Sequence, residues 1–365
     1  MPRPLHARID LSALRSNLAR VRALAPQAQV LAVIKADGYG HGMPACAQAL
    51  AADGYALLTL EEAYGVRDLG ISRPVVLLEG IFHERDLADL RATAATPVIH
   101  HAEQIRMLEL SALPPPARVF LKVDTGMHRL GFLPELAAAA LARLQRVAGI
   151  EQVVLMMHYA CADEAGGAAE AVRRMQALRA GHPGLAALPT SFANSAAVMA
   201  AEVFGDDAAP LHGDWVRPGI MLYGASPIAH CSAASLGLKP VMQLASELIA
   251  VRQVEADEAI GYGATFRCER TLRVGVVACG YADGYPRHAP TGTPVLVDGQ
   301  RTRLLGRVSM DMLCVDLELL PHAAVGTRVE LFGPGLPVDE VAAAAGTIPY
   351  EILTAIARRV PRQLA

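Results

Sequence analysis

Between residues 11 and 25, leucines and a valine recur at helical spacing and the stretch stops before Pro26, which predicts an amphipathic helix. A continuous apolar run at 30–34 follows and reads as a strand buried on both faces. The short apolar-alternating segment ahead of the helix is compatible with one more strand. A helix over about 44–51, an apolar run at 55–58 and a helical stretch at 61–69 come next. The unit then repeats. Apolar runs at 75–78, 97–99, 119–123, 153–157 and 191–192, with a last one near Trp215 or Met221, alternate with alanine- and leucine-rich segments of helix length. About eight such units before residue 235 predict an α/β architecture, an N-terminal (β/α)8 barrel over residues 1–235.

Beyond Ser235 the pattern changes to period-two runs at 273–278, 293–297 and 301–305, with Asp298-Gly299 between the last two as a type I′ hairpin signal. Residues 236–365 therefore read as a C-terminal mainly β domain, closed by short helices around 338–345 and 350–358. The first residues of the chain are open to either unit.

A length of 365 residues fits one large domain plus a smaller one. Hydrophobic residues make up 53% and charged ones 19%, as in a well-buried globular enzyme. The formal charge of -3 comes with no basic block, so no nucleic-acid partner is expected. The six cysteines are scattered without a C-x-x-C pair or a histidine at ligand spacing, which reads as reduced packing residues and no metal site. No apolar segment has the length of a signal peptide or membrane span, so a cytoplasmic protein without membrane contact is expected.

The apolar run at 30–34 delivers Lys35 into a glycine-broken loop, Lys-Ala-Asp-Gly-Tyr-Gly-His-Gly over 35–42. An ammonium buried there without a partner would lose its proton or be used covalently, as a Schiff-base nucleophile toward a carbonyl. A lysine snorkelling from a strand end to solvent fits the same residues. In a barrel of this kind chemistry sits at the C-terminal strand ends. Further along, Arg129 offers a planar fork suited to a carboxylate, or simply a surface charge in a loop. His158 closes another strand and, taken alone, reads as a core histidine. The turn at 191–196, ahead of a helical run, could seat a phosphate on hydroxyl and backbone N–H groups.

The segment 35–42 resembles the pyridoxal-phosphate lysine motif of the alanine racemases. The resemblance implies that Lys35 holds pyridoxal 5'-phosphate and that Tyr39 contacts its phosphate. Residues 122–131, Lys-Val-Asp-Thr-Gly-Met-His-Arg-Leu-Gly, resemble the family's D-T-G-M-x-R-L-G block, which places Arg129 on the substrate carboxylate. It also makes Lys122 a candidate for carbamylation, as in some members. By the same likeness His158 belongs to a supporting network, Ser195 binds phosphate, and Gly219 and Ile220 offer it backbone donors. Arg217 would face the pyridine nitrogen. Many racemases carry a histidine where this chain has Ser191, so that part of the network does not carry over. An arginine neither releases a proton readily nor accepts one, so the ring it faces is a weaker electron sink, which favours racemisation over transamination or decarboxylation.

The β domain adds Gly-Tyr-Gly-Ala-Thr-Phe over 261–266, similar to the racemase segment whose tyrosine is the second base, donated by the other subunit. Tyr262 takes that position. The likeness further places Tyr281 at the entrance, Met310 and Asp311 beside the substrate, and Tyr350 on the phosphate, and residues 357–362 look like the family's ending. It implies a homodimer with two shared sites that interconverts L- and D-alanine. A broader racemase accepting serine, and a non-catalytic carrier of the same cofactor, are the alternatives. A cofactor-free Schiff-base aldolase would not need Ser195, Tyr350 and Arg217 together.

Overall fold

The computed structural model describes residues 3–205 and 209–365. After β1 (His6–Ile9), eight parallel strands follow, β2 (Gln29–Val33), β3 (Gly54–Leu57), β4 (Val75–Leu77), β5 (Thr96–Ile99), β6 (Arg118–Lys122), β7 (Gln152–Met156), β8 (Thr190–Ser191) and β9 (Trp215–Val216). They close into a barrel, β9 returning to β2 through the pairs Gln29↔Trp215 and Val30↔Val216. The continuous apolar runs have their cause here: β3, β4 and β5 are buried at every position, facing barrel interior on one side and helices on the other.

The helices between them obey local rules. The helix Leu11–Leu24 starts at Asp10, whose carboxylate accepts from the amides of Ser12 and Ala13, and it buries Leu14, Leu18 and Val21. The helix Leu60–Asp68 opens with a capping box in which Thr59 and Glu62 satisfy each other's backbone amides.

The second unit holds β10 (Met242–Val254), β11 (Ala259–Ile260), β12 (Phe266–Arg267), β13 (Leu272–Val277), β14 (Pro294–Val297), β15 (Gln300–Leu305), β16 (Leu313–Asp316), β17 (Arg328–Phe332) and β18 (Arg362–Leu364). β10 pairs with β17 through residues 244–247 and with β13 through 248–254, so the order β10-β13-β16-β15-β14-β17 returns on itself. β1 extends this sheet beside β10, and β18 lies parallel to β1. The start and end of the chain are thus neighbours in the second unit. Asp298 and Gly299 both carry positive φ, 50° and 74°, as a type I′ turn requires.

One expectation is corrected, and one left between two places is decided. The helix expected over 350–358 is Pro349–Ala355, because Ile356 turns extended and the chain heads for β18. The last barrel strand is at Trp215–Val216, and Met221 lies instead in the 3-10 helix Ile220–Tyr223.

The two units meet without slack. Gly40 packs so closely on the helix Pro349–Ala355 that a Cβ there would lie 2.1 Å from the Leu353 carbonyl oxygen. Arg362 donates from Nε and Nη2 to the Gly40 carbonyl at 3.2 and 3.1 Å. Asn17, wholly buried, donates to the carbonyls of Leu222 (2.9 Å) and Lys239 (2.8 Å) and accepts from the Lys239 amide (2.8 Å). Each of its polar groups is used, which is what makes a buried amide tolerable.

Candidate active site

A cavity of about 820 Å³ opens where the barrel strands end. Lys35 enters it from β2, Lys122 and Arg129 from the end of β6, His158 from β7, Ser195 from beyond β8, and Arg217, Gly219 and Ile220 from beyond β9. Tyr39 and Tyr350 complete the wall.

The chain after Lys35 is a left-handed turn rather than an irregular loop. Ala36, Asp37, Gly38 and Tyr39 have φ of 53°, 54°, 61° and 53°. For residues with a Cβ this costs about 1–2 kcal/mol each, so the surroundings must impose it. They do so through several ties. The Ala36 amide donates to Glu62 Oε1 (3.0 Å), and the Met43 amide donates to Asp37 Oδ1 (2.8 Å). His41 Nδ1 meets the carbonyls of Gly38 (3.0 Å) and Tyr39 (2.8 Å). The turn swings Tyr39 inward to stack on Tyr223, with ring centroids 4.6 Å apart. Its hydroxyl reaches Gly219 so closely that a Cβ there would lie 2.4 Å away.

Ser195 opens the helix Ser195–Phe204, which Asn194 caps by accepting from the Ala197 amide at 3.0 Å. Ser195 Oγ in turn accepts from the Gly219 amide at 2.8 Å, so Gly219 is held by the serine while Ile220 begins a 3-10 helix whose first amide has no helical partner. Tyr39, Tyr350, Ser195 and Ile220 together form a cradle of neutral donors. Such a cradle suits a phosphate.

Arg217 is 4% exposed and rigidly held. Nη1 donates to Ser191 Oγ (2.6 Å) and Nη2 to the carbonyls of Met157 (2.7 Å) and Phe192 (3.2 Å). Burial brings it down to about 10. Ser191, a small hydroxyl, thus receives the guanidinium directly.

Positive charge dominates the cavity. Burial, and then the nearby Arg129, lower the Lys35 amine from the usual lysine range, which favours the free base, while Glu79 and Glu62 oppose the shift. Lys122 is pushed down to about 8 by burial and by Arg217 and Arg129. His158 is held at about 3 by burial and the same cations, so it is neutral and presents Nε2 to the Asn194 amide at 3.5 Å. Among the described residues no carboxylate pairs with Lys122 or Arg129. The site is built to receive anions.

Tyr262, Tyr281, Met310 and Asp311 do not line this cavity. Tyr262 stands at the tip of the β11–β12 hairpin, 71% exposed. Tyr281 and Met310 share one ridge, because the amides of Tyr281 and Ala282 donate to the carbonyls of Ser309 (3.0 Å) and Met310 (2.9 Å). The carboxylate of Asp311 is engaged by Arg359 Nη2 at 2.5 Å. Arg359 also donates to the buried Asp283 at 2.8 Å, and Arg3 joins at 2.6 Å.

Several lining residues escaped the reading of the sequence. Glu79 and His100 follow β4 and β5 and hence obey the strand-end rule that singled out Lys35. Asn194 carries the cap signal of its helix. Glu62, which lies behind the lining, announces itself as the fourth residue of Thr-Leu-Glu-Glu, but only as a capping glutamate.

Models of the alanine racemase N-terminal domain and the alanine racemase C-terminal domain match residues 9–227 and 241–364. An alanine racemase of Thiobacillus denitrificans is 53% identical over 360 residues, covering 98% of this chain and 95% of that protein. The crystal structure of the biosynthetic alanine racemase from Pseudomonas aeruginosa superposes with a TM-score of 0.93 at 48% identity, over 100% of this chain and 99% of that one. An alanine racemase from Bartonella henselae, solved with covalently bound pyridoxal phosphate, superposes with a TM-score of 0.85 at 26% identity over 100% of both chains.

Proposed function

This chain belongs to the alanine racemase family of amino-acid racemases, and from that premise we propose that it interconverts L- and D-alanine by a two-base mechanism. Lys35 serves one face of the substrate, and Tyr262 of a second copy serves the other. The observation that carries this reading is the convergence of Lys35, Arg129 and Arg217 on one cavity with the neutral cradle of Tyr39, Ser195, Ile220 and Tyr350.

The residues present fit pyridoxal 5'-phosphate. Lys35 would hold its carbonyl carbon, the cradle its phosphate, and Arg217 its ring nitrogen. Gly219 supports the cradle, because its amide holds Ser195 Oγ and any side chain there would displace the Tyr39 hydroxyl. When bound, the cofactor supplies an electron sink that acidifies the Cα–H of an amino acid.

The chain's own groups do the rest. Arg129 takes the substrate carboxylate in two places and fixes the plane of the reacting carbon. The Lys35 amine, its hold on the proton weakened by burial, accepts or returns a proton at Nζ on its side. The phenol oxygen of Tyr262 does the same on the opposite side. Arg217 would donate a hydrogen bond to the ring nitrogen without surrendering its proton, so the ring would be a weaker electron sink than a protonated one. No helix among the described residues is long and apolar enough to cross a membrane. A homodimer in the cytoplasm, without membrane contact, is part of the same proposal.

Optical rotation of alanine, followed with and without added pyridoxal phosphate, tests the reading. We expect racemisation that depends on the cofactor, a visible absorbance lost on borohydride reduction, and label on Lys35. Absence of racemisation, or label on another lysine, would overturn it.

A further inference from the structure

We propose that Glu62 is a positioning residue for Lys35, its carboxylate fixing the peptide that joins the lysine to the left-handed turn. The inference rests on the role given to Lys35 above. A capping-box glutamate ordinarily turns back on the amides at its own helix start. Oε2 of Glu62 does this, accepting from the amides of Leu58 (2.9 Å) and Thr59 (3.3 Å), while Thr59 Oγ1 accepts from the Glu62 amide at 3.1 Å. Oε1 does something else. It leaves the helix and accepts from the Ala36 amide, at the end of β2, at 3.0 Å. One carboxylate thus clamps the end of β3 to the end of β2.

The place it grips is the start of the strained turn. The other side-chain ties act later in the segment, on Asp37, Gly38, Tyr39 and Gly40. Glu62 acts on the amide directly after Lys35, and Ala36 is the first left-handed residue, with φ 53° and ψ 51°. Without that acceptor only the backbone bonds on either side, from the Gly38 amide to the Ile34 carbonyl (2.9 Å) and from the Gly40 amide to the Ala36 carbonyl (3.0 Å), restrain the Lys35–Ala36 peptide, which can then relax toward an ordinary conformation and turn the Cα of Lys35 with it. Glu62 does not line the cavity, whereas Lys35 and Ala36 do. It therefore acts through the lysine and not on the substrate. Its charge also opposes the downward shift of the Lys35 amine, so the two contributions must be separated.

Glu62→Ala and Glu62→Gln separate them, with the holoenzyme as reference and Glu61→Ala on the exposed flank as control. Rates are counted per borohydride-labelled Lys35. For Glu62→Ala we expect kcat to fall about tenfold or more with KM changed by less than about twofold. The primary isotope effect with Cα-deuterated alanine should rise for one enantiomer only, since only the face served by Lys35 is disturbed. Glu62→Gln, which keeps one acceptor oxygen for the three amides that the carboxylate serves, should recover part of kcat. A Glu62→Ala enzyme with wild-type kcat, an isotope effect that rises equally for both enantiomers, or a Glu62→Gln enzyme as slow as Glu62→Ala would overturn the inference. A wild-type protein that takes no label on Lys35 would overturn the role of Lys35 and this inference with it, so the two failures are distinct.

Discussion

Lys35 is a cation that its surroundings push toward the free base, and Arg129 adds to what burial begins. Burial, and after it Arg217 and Lys122, hold His158 at about 3. The unfolded chain takes up a proton at this histidine below the ordinary value of 6.5, which the folded chain refuses until about 3. His158 therefore contributes stability above pH 6.5 that is lost progressively as the pH falls toward about 3. We expect His158→Gln to flatten that part of the stability curve, as read from denaturant midpoints at pH 7 and pH 4.5; parallel curves for the two proteins would contradict it. Tyr262→Phe bears on the second base. L- and D-alanine have equal free energy, so kcat/KM must fall by one factor in both directions, about 10²-fold or more for loss of a general acid–base group. The asymmetry appears in the Cα-deuterium isotope effect, which we expect to rise for one enantiomer, the one opposite to that affected in Glu62→Ala. At this scale the sequence was informative where chemistry follows a motif, as at Lys35, Arg129 and Arg217. It was silent on Glu62, because a T-x-x-E cap is a local signal and the bond to Ala36 spans 26 residues.

The element that sets the geometry is the left-handed turn, and it is locked from outside by the second unit. Gly40, at φ 80°, faces the Leu353 carbonyl at a distance that excludes any Cβ. Gly40→Ala should destabilise the protein by roughly 1–3 kcal/mol and loosen Tyr39 together with the helix Pro349–Ala355. Thermal unfolding measures the first effect and affinity for pyridoxal phosphate the second; an unchanged Tm would contradict the packing described. The barrel strands were legible because burial on both faces leaves an uninterrupted apolar run. β10 was not, although its first half alternates buried and half-buried positions. It changes partner from β17 to β13 midway, with a register shift, and the shift breaks the period that would have revealed it. The turn after Lys35 was visible as glycines, but the left-handed φ of Ala36 and Asp37 is a tertiary imposition that no local preference signals.

Over the whole molecule, the barrel supplies an anion-seeking cavity and the β unit supplies an exposed ridge. Met310 and Tyr281 on that ridge are 53% and 38% exposed, and Tyr262 at its hairpin tip is 71% exposed; the proposed second copy is what would cover them. The buried Asp283, tied to both Arg3 and Arg359, stiffens the loop that carries Tyr281. Which copy of the chain these side chains serve is a question of assembly, which one sequence expresses only through likeness to relatives. The central claim is that each site takes its lysine from one copy and its tyrosine from another. Co-expression of Lys35→Ala with Tyr262→Phe, each inactive alone, tests it most directly. In a hybrid dimer one site inherits both lesions and the other inherits neither, so random pairing should restore about one quarter of wild-type racemase activity. A mixture that stays as inactive as its parents, despite hybrid dimers being present, would contradict the account.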